Sequence, residues 1–275
     1  MIFFASSAAN QQDIVKDELT LCGITDTKVG QAGVEFVAEL NQAYRFTMTT
    51  RIASRVLQAL FFDEDVQSAD ELYDSTMQIP WEEYITPEKT FLITETVKNC
   101  NWLNNTHFAT LKVKDAIVDR IKEHYEGNRP TVDSEDPDIT FHIHIKENSV
   151  IWYVDFSGPG LAKRGYRTEQ SDALLKENLA CALLYRSEWY KSYREGRLLP
   201  LYDPFCGSGT IPVEAALIAA EIAPALLKKT PYAFKALPSY DEELYNSIYA
   251  ELEAKRAEAE EKEIYITASD IIRTN

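Results

Sequence analysis

The chain has 275 residues, and its 28 Lys+Arg against 44 Asp+Glu give a formal charge of −16. Hydrophobic residues make up 45% and charged residues 26%, a composition too apolar for disorder and enough for two or three domains, while 10 Gly and 4 Cys exclude collagen and disulfide scaffolds. The acidic balance argues against bulk binding to nucleic acid, which sums positive charge, but leaves room for a local basic groove.

The N-terminus, Met1 to Ser7, has no basic segment followed by a long apolar stretch, so no signal peptide is expected. No apolar run reaches the roughly 18 residues of a membrane span. Cys22, Cys100, Cys181 and Cys206 lie far apart with no CxxC pair, which predicts a reducing, cytoplasmic setting.

Ile2 to Ala5 reads as a strand. Gln11 to Leu21 carries Ile14, Val15 and Leu19 at helical spacing, closed by Cys22-Gly23. Val34 to Val37 alternates like a half-buried strand, and Ser54 to Phe62 puts Val56, Leu57, Leu60 and Phe61 on one helical face. This order predicts a ferredoxin-like unit over 1–62. Asp63 to Glu88 is acidic and reads as a solvated linker and helix surface.

A second α+β unit is expected over 63–157. Thr90 to Thr94 is a strand, Ala109 to Tyr125 an amphipathic helix stopped by Gly127 to Pro130, and Ile139 to Ile145 and Val150 to Phe156 a hairpin. His142 and His144 share one strand face, better read as a polar sheet face than as a metal pair, and no metal is expected.

Residues 158–275 form the third region. Thr168 to Trp189 reads as one long helix and Leu198 to Tyr202 as a short strand. Asp203-Pro204-Phe205-Cys206-Gly207-Ser208-Gly209-Thr210 is a tight turn, and a helix beginning at Pro212 runs to about Leu227. Asp241 to Lys262 is another helix, and Ile264 to Ala268 a strand ending at Ser269-Asp270.

The turn carries the chemistry. Glycines between a parallel strand and a helix let backbone approach a ligand closely, and the helix start offers N–H groups without partners. A Walker loop needs Lys-Ser/Thr after the second Gly, but Thr210-Ile211 follows. The dinucleotide fingerprint needs Gly or Ala at position 212, where proline stands.

Asp203 to Ile211, continued by Glu214-Ala215-Ala216, resembles the first cofactor motif of class I S-adenosylmethionine-dependent methyltransferases acting on nucleic-acid bases. Lys112 to Asp119 and Arg129-Pro130 resemble the THUMP RNA-binding domain. Lys163-Arg164-Gly165-Tyr166-Arg167 is similar to the linker after it, and Lys176 to Ala180 to the helix before the cofactor strand, in the THUMP-containing RNA guanine-N2 methyltransferases.

That resemblance implies an α+β and α/β chain: a ferredoxin-like unit, a THUMP domain and a Rossmann-like, incomplete methyltransferase domain. It implies S-adenosylmethionine as cofactor, with Phe205 to Thr210 under its methionine part, Asp203 near its ammonium and Asp270 on its ribose hydroxyls. A carboxylate's two acceptor oxygens suit a vicinal diol. It implies RNA as partner, ribosomal RNA ahead of transfer RNA with a transfer-RNA methyltransferase as an alternative, and no membrane.

The family's Asn/Asp-Pro-Pro-Tyr/Phe motif, which orients the exocyclic amine and stacks the flipped base, is absent, and Pro-Pro occurs nowhere. No catalytic residue is therefore assigned. The chain is expected to be a fragment, inactive by itself, or alternatively a non-catalytic RNA-binding module. A methyltransferase for a small molecule or protein is a weaker reading. Lys112, Lys114 and Arg120 on one helix, and Lys163, Arg164 and Arg167 in the linker, are the candidate phosphate contacts. Tyr185, Trp189, Tyr190 and Tyr193 are read as packing rather than base-stacking residues, and Cys206 as a packing residue.

Overall fold

A computed structural model describes residues 1–103, 105–167, 175–259 and 262–271. Its regular elements, in chain order, begin with β1 (Ile2–Ser6), α1 (Gln12–Leu21), β2 (Thr27–Val29), β3 (Gly33–Val37), α2 (Leu40–Thr49) and β4 (Arg55–Asp63). The middle of the chain forms α3 (Ala69–Met77), β5 (Thr90–Lys98), α4 (Thr106–His124), β6 (Thr131–Val132), β7 (Ile139–Lys146) and β8 (Ser149–Asp155). The last part forms α5 (Glu177–Tyr185), α6 (Glu188–Arg194), β9 (Leu201–Asp203), α7 (Thr210–Ala219), α8 (Glu242–Ala259) and β10 (Ile266–Ala268). Two compact units result: residues 1–4, 56–158 and 231–241, and residues 5–55, 159–230 and 242–275.

In the first unit β5 is bordered by parallel β6 and β7, and β7 and β8 form an antiparallel hairpin. β4 continues the sheet antiparallel to β8, with an irregularity between Ala59 and Phe61. The alternation of Ile139-Thr-Phe-His-Ile-His-Ile145 is the cause of β7's two faces: Ile139, Phe141, Ile143 and Ile145 are buried while the residues between are half-exposed. α4 places Val113, Ala116, Ile117 and Ile121 in the core. Trp81 is wholly buried, edge-on to Phe141 at 4.9 Å. Its Nε1 donates to Thr76 O at 2.8 Å, and Trp152 Nε1 donates to Thr76 Oγ1 at 3.0 Å, so both buried indoles are satisfied.

His142 Nδ1 shares a 2.9 Å hydrogen bond with Thr94 Oγ1, as a polar sheet face implies. Burial, with Lys98 and Lys146 nearby, holds His144 below its ordinary pKa. Among the described residues no cluster of three metal-ligating side chains occurs, and no helix is long and apolar enough to cross a membrane.

In the second unit β2 and β3 form a hairpin, β9 and β10 pair in parallel, and α5 packs on α7. Phe36 and Phe46 meet edge-on at 5.3 Å, and Arg45 on α2 pairs with Glu251 on α8 at 2.6 Å.

Three expected elements differ. Ser54 to Phe62, predicted helical, is strand β4, because its apolar run with Val and Phe pairs along β8 rather than closing a turn on itself. The helix of this region lies earlier, over Leu40–Thr49, where Glu39 and Gln42 form a capping box. The long helix predicted from Thr168 has its first seven residues outside the described part, and the remainder is two helices: α5 ends at Tyr185, and Ser187 Oγ caps α6 by accepting from Tyr190 N. Helix α7 stops at Ala219 instead of Leu227, followed by a 3-10 turn at Pro224–Leu226.

Candidate cofactor site

β9 and β10 run side by side with Leu201 opposite Ile266 and Asp203 opposite Ala268. Both strands thus deliver an aspartate to the same end of the pair. Ser269 N donates to Asp203 O at 2.9 Å and Cys206 N to Ser269 O at 3.1 Å, which carries the pairing past the strand ends. The turn then closes on carboxylates: Phe205 N donates to Asp203 Oδ1 at 3.1 Å and Gly207 N to Asp270 Oδ2 at 2.9 Å.

Gly207 and Gly209 have φ of +52° and +78°, left-handed values that favour glycine. Gly209 is the N-cap of α7. A Cβ at Gly207 would meet nothing within 4 Å, so the loop backbone faces open space there. The Phe205 ring beside it is 88% exposed. Cys206 is half-buried in the loop.

Beneath the loop, Arg167 fixes the start of α7. Its Nη2 donates to Thr210 Oγ1 at 3.0 Å and to Leu175 O at 2.7 Å, and its Nε donates to Glu177 Oε1 at 2.7 Å. One turn further, Glu214 is fully buried. Its carboxylate accepts from Tyr166 OH at 3.1 Å and Cys181 Sγ at 2.9 Å, with Arg164 Nε at 3.6 Å and Arg51 Nη1 at 3.8 Å. Burial, reinforced by the Glu214 charge, pushes the Cys181 thiol and the Tyr166 phenol well above their usual pKa values, so both stay protonated as donors. Nothing in the sequence pattern marked Glu214 or Arg51 as partners of the linker arginine; a charged residue inside an apolar helix was the available signal.

One sequence-predicted RNA contact needs correction. Arg164 is 1% exposed, with Nη1 on Leu161 O and Nη2 on Arg51 O, both at 2.6 Å, so no phosphate reaches it. Arg167 is engaged by the three acceptors above. Lys163, between them and Gly160, is exposed. On α4, Lys112 pairs with Asp70 at 2.7 Å, Lys114 with Asp115 at 2.6 Å, and Arg120 grips both oxygens of Glu82. Tyr185 stacks on Tyr190 at 4.1 Å, and Trp189 is buried with Nε1 on Leu199 O.

Family models match in order: an RlmL ferredoxin-like domain over residues 2–57, a THUMP domain over 66–155 and an RMKL-like methyltransferase domain over 164–275. The ribosomal RNA large subunit methyltransferase K/L of Allochromatium vinosum is 40% identical over 255 residues, 93% of this chain and 34% of that protein. Its namesake from Aliivibrio salmonicida is 39% identical over 253 residues, 92% of this chain and 34% of that protein. The chain therefore spans about a third of the length of these relatives. Among solved structures, a predicted N6-adenine-specific DNA methylase from Listeria monocytogenes superposes with a TM-score of 0.84 at 29% identity, covering 98% of this chain and 68% of that one. A putative methyltransferase, SMU.472, crystallised with SAH, shares the fold with a TM-score of 0.82 at 24% identity, over all of this chain and 77% of that one.

Proposed function

We propose, on the premise that this chain belongs with the THUMP-containing methyltransferases whose ferredoxin-like, THUMP and RMKL-like domains it carries in order, that it binds S-adenosylmethionine and RNA for methylation of large-subunit ribosomal RNA. The observation that carries the reading is the Gly207 turn, bound to the Asp270 carboxylate and open above its α-carbon.

The residues suit that cofactor. Bound there, it would supply an electrophilic methyl group on sulfur. Asp203 offers a carboxylate to an ammonium, Gly207 and Gly209 give bare backbone against the methionine portion, and Asp270 stands where ribose hydroxyls would need an acceptor. The N–H groups heading α7 add positive potential near the ligand's carboxylate. Arg167 orients this end of the helix through Thr210. The chain's own residues thus bind and orient; none is assigned a proton-transfer step.

Within that reading the acceptor is the exocyclic N2 of guanine, as the resemblance to the guanine-N2 family implies. The setting is cytoplasmic, in keeping with four free cysteines. The DNA-adenine description of the Listeria neighbour gives a second reading, which the THUMP domain disfavours.

Titration calorimetry of the chain with S-adenosylmethionine tests the cofactor assignment: saturable one-site binding is expected, and absence of heat together with no ligand-induced rise in Tm would refute it. Nucleoside analysis of ribosomal RNA from a strain lacking the gene tests the acceptor. Loss of an N2-methylguanosine is expected; loss of an N6-methyladenosine would overturn the guanine assignment.

A further inference from the structure

A cavity of about 610 Å³ opens beside the linker in the second unit, lined by Ser7, Lys163 and residues at the start of α5. Its size falls within the roughly 300–1,000 Å³ of ordinary ligand sites. We propose that it is a nucleotide subsite, taking one base and its phosphate from a single-stranded stretch of RNA; this rests on the RNA reading above.

Two polar atoms here lack partners. Asn178 is 4% exposed, and its Oδ1 accepts no hydrogen bond, nor does the buried Ser7 Oγ have a partner. The Asn178 amide is not free to turn over. Its Nδ2 donates to Ile52 O at 3.4 Å and Ser54 Oγ at 3.3 Å, and reversal would set Oδ1 against the Ile52 carbonyl. Asn178 Oδ1 is itself closed to solvent, and an acceptor left empty there is unfavourable by about 1–3 kcal/mol, which a ligand N–H admitted from the adjoining cavity would relieve. Every nucleobase edge carries one, and the Ser7 hydroxyl of the same cavity could donate to a ring nitrogen or accept from an amino group.

The remaining walls fit a nucleotide. Ala162, Leu175 and Leu179 supply an apolar surface for a flat ring. Arg167 and Glu177 neutralise one another, which leaves Lys163 and Lys176 as the cations of the rim. Neither lysine is ion-paired to a described carboxylate, whereas Lys112, Lys114 and Arg186 elsewhere on the surface are. Two such cations match a phosphodiester, and the partly enclosed pocket does not match an extended protein surface.

The test uses the full chain and two probes, cytidine 5′-monophosphate followed by NMR titration and a fluorescein-labelled single-stranded RNA followed by anisotropy. Ala162→Phe fills the cavity, and the Lys163→Ala/Lys176→Ala pair removes the rim charge without touching a buried group. Wild type is expected to bind both probes. Ala162→Phe is expected to weaken both by at least about tenfold, and the lysine pair to weaken RNA binding about tenfold with a shallower salt slope. Unchanged binding of both probes by both variants would overturn the proposal, and so would displacement of the nucleotide by S-adenosylmethionine, which would assign the cavity to the methyl donor. Nucleotide binding abolished by Ala162→Phe, with no RNA binding by wild type, would refute the RNA reading while supporting a nucleotide subsite.

Discussion

Arg164 of the linker and Glu214 of α7 face each other with both side chains wholly buried, Nε 3.6 Å from Oε1. Arg51 Nη1 lies 3.8 Å from the other oxygen of the same carboxylate. Removing one partner leaves charge stranded in a low-dielectric interior, so Glu214→Ala is expected to lower unfolding free energy by about 3–5 kcal/mol. Urea denaturation measures it. Asp13→Ala, which breaks the exposed Arg186 pair, is the control and should change stability by less than about 1 kcal/mol. Equal losses in the two variants would mean that depth does not set the strength of these pairs.

Gly165 has φ of +96°, and a Cβ there would lie 2.7 Å from Leu227 O. Gly165→Ala combines left-handed strain with a backbone clash and should destabilise by at least about 2 kcal/mol. Gly196, at φ +79° with nothing within 4 Å, isolates the strain alone, and Gly196→Ala should lose about 1 kcal/mol. Thermal melts of the two variants check the difference.

Asp270 accepts the Gly207 N–H from an exposed position. Asp270→Ala is expected to reduce S-adenosylmethionine affinity by about 10- to 100-fold while shifting stability by less than about 1 kcal/mol. Calorimetry and a denaturant melt on the same sample separate the two effects. Unchanged affinity would remove Asp270 from the cofactor site.

Glu82 is held below its ordinary pKa of 4.5, chiefly by its hydrogen bonds from Arg120. The folded state therefore binds fewer protons than the unfolded state near that value. The resulting stability is fully present above about pH 4.5 and disappears as pH falls through the depressed folded value. Arg120→Met should flatten this part of the stability–pH curve, and because the pair is partly exposed the change at pH 7 should stay near 1 kcal/mol or less. Denaturant midpoints between pH 3 and 7 read the outcome.

The parts of the fold that were legible in the sequence are those where one local pattern dominates. Strict alternation wrote β7 into Ile139 to Ile145, and the Asp203 to Thr210 string gave the turn with its glycines at the positions where φ is positive. Ser54 to Phe62 misled because a short apolar run satisfies helical and extended spacing alike, and only pairing with β8 decides. Arg164 of the linker misled for a different reason. Charge in sequence says nothing of depth, and Arg164 is drawn inside by Glu214, 50 residues away in the chain, through contacts no local window contains.

The ties between β10 and the turn also bear on affinity. With the Gly207 amide held by Asp270 and the Cys206 amide by Ser269, this backbone is ordered before any ligand arrives. A ligand taken up at this proposed site would surrender little backbone entropy, because the turn does not have to be assembled around it.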